Sequence, residues 1–97
     1  IVIERPYPNP SEHAVNFKII LTGDQQPDTM LLEIMNANGQ TVTTFTQNGL
    51  FIGTNVLTWQ RQNAAGSIVP GGMYLYRMIL TRGGTPVKTA NGKIILR

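Results

Sequence analysis

The chain has 97 residues, 41% of them apolar, no cysteine, and eight Lys and Arg against five Asp and Glu for a net charge of +3. That length makes a single domain, residues 1–97, able to bury roughly 60–65% of its unfolded surface. The missing cysteine excludes disulfides and thiolate metal sites as its source of stability. Charged residues make up only 13% and the cations are scattered from Arg5 to Arg97. A nucleic-acid surface would gather them on one face among aromatics, so that class is set aside.

No apolar run approaches the roughly 18 residues of a membrane-spanning helix, so the domain is not expected to span a membrane by one. It begins at Ile1, with neither an initiator methionine nor a signal peptide. This suggests the mature or excised piece of a longer protein. At the other end Lys93-Ile94-Ile95-Leu96-Arg97 is a strand-like run with no polar tail. That run reads as a natural C-terminus, Arg97 being the last residue.

In chain order, Ile1-Val2-Ile3-Glu4 is a short apolar piece leading into Arg5-Pro6-Tyr7-Pro8-Asn9-Pro10. Three prolines in five residues forbid a helix and predict an extended, edge-like segment. Proline also disqualifies Asn9-Pro10-Ser11 as a glycosylation site, and Ser11-Glu12-His13 is a turn. Residues 15–21 alternate strictly, with Val15, Phe17, Ile19 and Leu21 on one face of a strand.

After a loop over 22–28, a strand over 29–35 points Met30, Leu32 and Ile34 inward and Glu33 outward. Asn38-Gly39 then marks a hairpin. The return strand, 41–46, offers Val42 and Phe45 to the core. Their spacing of three breaks alternation and predicts a bulge or a change of face. Residues 50–53 are an apolar connection expected to cross between sheets. A strand over 55–60 follows, with Leu57 and Trp59 inward.

Around Trp59 and Met78 the large apolar residues flank two Gly/Pro breaks, as in two sandwich strands joined by a structured connection. The second of those strands, 72–81, is expected to be the longest. It places Tyr74, Tyr76, Met78 and Leu80 on one side and Arg77 on the other. A turn through Gly83-Gly84 leads to the closing strand, 87–96, with a bulge expected at Asn91-Gly92. No stretch shows a helical period. The pattern is all-β: an antiparallel β-sandwich of about seven strands.

The chemistry that catalysis needs is sparse. His13 is the single histidine, and no phosphate loop, HExxH or GxSxG motif occurs. Asp24 and Asp28 flank one loop and read as solvated turn residues rather than a calcium site. Trp59, Tyr74 and Tyr76 invite a sugar-stacking platform, but each shares a strand face with aliphatic residues and reads as core. Arg61 and Arg77 read as surface residues. No catalytic, cofactor-binding or metal-binding residue is assigned, and the domain is not expected to be an enzyme by itself.

Several motifs, in this order and spacing, resemble a known family. They are Pro8-Asn9-Pro10, the run from Leu32 through Asn38-Gly39-Gln40 to Val42, Gly53 and Trp59, Gly66, Pro70-Gly71-Gly72-Met73-Tyr74-Leu75-Tyr76-Arg77, and Gly92-Lys93-Ile94-Ile95-Leu96-Arg97. Together they are similar to the immunoglobulin-like domain shared by flagellar hook-capping proteins and the C-terminal sorting domains of the type IX secretion system. Met35 stands where that family usually has tyrosine, and Gln60 where aspartate commonly follows the tryptophan.

The basic–aliphatic–basic ending favours the sorting branch. That branch implies a secreted Bacteroidetes protein whose C-terminal domain is read by an outer-membrane translocon and a β-barrel shuttle protein. In many such proteins a cell-surface sortase then removes the domain. The implied route runs through the periplasm to the outer-membrane surface or the exterior. The hook-capping branch implies a structural module of flagellar assembly instead. An accessory binding module of an extracellular enzyme is the third class.

On the sorting reading, Gly92, Lys93, Ile94, Ile95, Leu96 and Arg97 are the partner-binding residues. Neighbouring strand residues point to opposite sides, so at least one of the three aliphatics must face away from the core. An edge position for this strand would leave backbone groups open to strand addition. The two cations would favour an acidic receptor surface.

Overall fold

A computed structural model describes residues 1–23 and 27–97. Period-two burial, set by the alternation in the sequence, runs through most of its strands. In β2 (Val15–Leu21), Val15, Phe17, Ile19 and Leu21 are buried, and in β3 (Thr29–Asn36) Met30, Leu32 and Ile34 are. In β6 (Gly72–Arg82) the buried set is Tyr74, Tyr76, Met78 and Leu80. Each such aliphatic side chain contributes about 1.5–3 kcal/mol by leaving water.

These strands join β1 (Val2–Ile3), β4 (Thr41–Asn48), β5 (Gly53–Trp59) and β7 (Thr85–Leu96) in two antiparallel sheets. One sheet has the order β1-β2-β5 and the other β4-β3-β6-β7. The fold is therefore a seven-stranded sandwich, with a core of side chains from both inner faces.

The hairpin between β3 and β4 is built on Asn36. Its side-chain oxygen accepts the Asn38 and Gln40 amides at 3.0 Å each, while Gly39 N donates to Asn36 O at 2.9 Å. Next to the turn Ile34 pairs with Thr43 but Met35 pairs with Thr41, which leaves Val42 as the extra residue of a bulge. Val42 and Phe45 both pack against the core, as their spacing predicted. The connection after β4 crosses between the sheets, and residues 60–71 cross back. The second connection is structured throughout. Asn63 Oδ1 accepts the Ala65 and Ser67 amides at 3.0 Å, and Gln62 bridges Ile68.

Several expectations are corrected. The closing strand β7, with 12 residues, exceeds β6 with 11, because it starts at Thr85 rather than residue 87. Asn91-Gly92 holds no bulge: Arg77↔Asn91 and Tyr76↔Gly92 lie in continuous register. The irregularity falls at Leu80/Thr81, where Val87 is the extra residue beside Pro86. Proline cannot donate to a ladder, so pairing breaks there instead. β5 ends at Trp59, leaving Gln60 outside it, and Leu57 is only partly buried. The proline segment is not extended throughout: Tyr7 bridges Asn16, and residues 8–10 bend.

Candidate functional site

Residues 92–96 end β7, at one edge of the four-stranded sheet, and Arg97 follows directly. Alternation divides their side chains cleanly. Ile94 and Leu96 are buried in the core, whereas Lys93, Ile95 and Arg97 face out, Ile95 remaining 38% exposed. Ile95 stands opposite Met73 and Lys93 opposite Leu75, so the outer face carries an apolar strip flanked by cations.

Gly92 is a glycine for a steric reason. It lies opposite Tyr76, and a Cβ built there would come within 2.9 Å of the tyrosine ring. The ring closes over the bare backbone and meets Phe17 edge-on, with centroids 5.4 Å apart. Burial pushes the Tyr76 phenol above its ordinary value, with the Arg5 charge opposing that shift. Gly71 makes room at the strand end in the same way: a Cβ there would sit 3.1 Å from the carbonyl carbon of Arg97.

The backbone edge here is not open, although β7 is an edge strand. Ile95 N donates to Asn9 Oδ1, and Asn9 Nδ2 donates to Lys93 O, each at 2.9 Å. Ser11 N donates to Ile95 O and Arg97 N donates to Ser11 O, again at 2.9 Å, in a short parallel bridge. Strand addition over residues 93–97 would have to displace this segment first.

Arg61 adds a second lock. It adopts a left-handed backbone conformation, φ 59°, and its guanidinium donates to three carbonyls. Nη1 reaches Glu12 O and Arg97 O at 2.7 Å each, and Nε reaches Val69 O at 3.0 Å. Arg61, read from sequence as a surface residue, is thus a clamp tying the β5–β6 connection to the end of β7. Arg77 does face out, pairing with Glu33 directly across the β3–β6 ladder at 2.9 Å. Such an exposed pair contributes under about 1 kcal/mol.

Asn9 and Ser11 were not singled out as functional by sequence reasoning. The visible signal was the Pro8-Asn9-Pro10 motif, but its partners lie more than 80 residues away.

The aromatic trio offers no stacking platform. Trp59 is fully buried and meets Tyr74 edge-on at 5.7 Å, and all three rings belong to the core. Two of them commit their polar atoms locally: Trp59 Nε1 donates to Gln62 O at 2.8 Å and Tyr74 Oη to Pro70 O at 2.7 Å.

Asp24 lies outside the described residues. Asp28 is a loop lock, accepting the Gly83 amide and the Thr29 hydroxyl at 3.0 Å each. Those bonds, led by the Gly83 amide, hold its carboxyl below the usual carboxylate range. Among the described residues no three His, Cys, Asp or Glu side chains gather as a metal-binding group. No helix among them is long and apolar enough to cross a membrane.

The two-sheet arrangement has a counterpart among solved structures. The chain superimposes on part of dimeric latent PorU from Porphyromonas gingivalis. The TM-score is 0.74 at 18% identity, over 98% of this chain and 9% of that one. The likeness is one of fold, and this chain spans less than a tenth of that protein's length. No family model matches the chain, and no curated protein matches it significantly.

Proposed function

We propose that this domain is a sorting module that directs a larger protein through the type IX secretion system to the cell surface by protein–protein recognition. The observation that carries this reading is the fold shared, over 98% of the chain, with part of PorU, a type IX secretion component. The motif order from Pro8 to Arg97 supports the same assignment. Its partners on this reading are the outer-membrane translocon and the β-barrel shuttle, with a cell-surface sortase acting afterwards.

Recognition runs through the outward side chains of the last strand. Asn9 and Ser11 occupy the backbone edge, and Ile94 and Leu96 are spent on the core. That leaves Lys93, Ile95 and Arg97, with Met73 beside Ile95, as an apolar strip between two cations. It suits a receptor surface that pairs an apolar hollow with carboxylates.

The test is the variant Lys93→Glu, Ile95→Ser, Arg97→Glu in a full-length protein carrying the domain, expressed in a host that has the secretion system. These changes spare the core and the edge bonds, so the domain stays folded. Retention of the folded protein in the periplasm is expected; normal surface delivery would remove the reading.

The domain acts without chemistry of its own. The purified domain is expected to turn over no hydrolytic, transferase or redox substrate, and an activity abolished by His13→Ala would overturn that.

A further inference from the structure

A two-sheet sandwich has four outer strands, and in this protein three of them are guarded. An unguarded edge is a template for pairing with another chain, and proteins blunt such edges with charge, proline, bulges, shortness or cover. β1 is two residues long. β4 carries the Val42 bulge, and the Ala64 amide donates to Val42 O at 3.0 Å. β7 has Pro86 and a bulge in its first half and the Asn9–Ser11 segment along its second.

β5 has none of these. Its register with β2 is regular from Gly53 to Trp59, and it holds no charged residue and no proline. In sequence it lies inside a span without a single charge between Glu33 and Arg61. Among the described residues it ladders with β2 alone.

The strand is also complementary to itself. Its outward residues are Thr54, Val56 and Thr58, with Val56 49% exposed. Antiparallel pairing centred on Val56 sets Val56 against its own copy and Thr54 against Thr58 of that copy. Both kinds of pair, β-branched and threonine–threonine, stabilise neighbouring strands. Lys18, the residue paired with Val56 on β2, is matched by Glu4 at 3.8 Å, which limits repulsion between two copies of a cationic protein.

The same register brings the segment just before β5 against the far end of the second copy's strand. There Phe51 and Ile52 are 70% and 68% exposed. Their projection is built in rather than loose. The buried Asn55 side chain accepts the Phe51 amide at 3.0 Å and donates to the Phe51 carbonyl at 2.8 Å. A second copy would cover these two apolar side chains at each end of the joint.

We propose that β5 pairs antiparallel with β5 of a second copy about Val56, joining two three-stranded sheets into one across a two-fold axis. The proposal does not depend on the sorting reading.

Sedimentation equilibrium tests it. The domain is expected to dimerise, and Val56→Lys and Val56→Glu are each expected to raise the dissociation constant at least about tenfold. An equimolar mixture of the two variants should recover association, because Lys and Glu then face each other. A folding defect would not reproduce that rescue. A wild-type domain monomeric up to roughly 1 mM, a dimer unaffected by Val56→Lys, or a mixture that fails to associate would each overturn the proposal.

Discussion

Trp59→Ala lowers the unfolding free energy by about 3–5 kcal/mol, the cost of emptying a large aromatic site in a core. Trp59 is fully buried at the end of β5, edge-on to Tyr74, with its indole N–H bonded to Gln62 O. Substitution leaves a cavity between the sheets, removes the ring contact and frees the Gln62 carbonyl in the β5–β6 connection. That connection carries Arg61, so the clamp on Arg97 loosens as well. For a domain of this size the midpoint of a thermal melt should fall on the order of 20 °C. A loss below about 1 kcal/mol in urea titration would mean that the indole contributes little to the core.

Removing residues 93–97 has a still larger expected effect. The deletion takes Ile94 and Leu96 out of the core, each worth about 2–5 kcal/mol. It also strips the partners from Asn9, Ser11 and Arg61. The total is comparable to the whole stability of a typical domain, about 5–15 kcal/mol. The truncated domain should therefore be largely unfolded at 25 °C by circular dichroism, whereas the variant Lys93→Glu, Ile95→Ser, Arg97→Glu keeps a cooperative melt. A truncated domain that melts like the full one would show that the last strand is dispensable to the fold. The contrast matters for function: loss of surface delivery after truncation reports misfolding before it reports recognition.

Much of this architecture is legible in the residues. Alternation in β2, β3 and β6 assigns the core side chains, because a strand exposes its two faces at period two whatever it pairs with. Asn38-Gly39 fixes one hairpin, and the odd spacing of Val42 and Phe45 betrays the bulge. The split of Ile94, Ile95 and Leu96 between core and surface follows from the same geometry. The Asn91-Gly92 pair misled, since glycine after asparagine signals a break in chain direction. Here the glycine answers a neighbouring strand: it makes room for the ring of Tyr76.

The sequence by itself determined an all-β chain with its strands, most of its turns and its buried faces. These are properties of short windows, governed by side-chain period and local backbone preference. Only the tertiary structure decided which edges stay open. The order β1-β2-β5 and β4-β3-β6-β7 makes β5 and β7 outer strands. Contacts between residues 9 and 93, 11 and 95, and 61 and 97 then close the second half of β7. The physical reason is that backbone polar groups are satisfied by whatever the fold brings alongside. No local pattern records that an asparagine between two prolines will cover the other end of the chain.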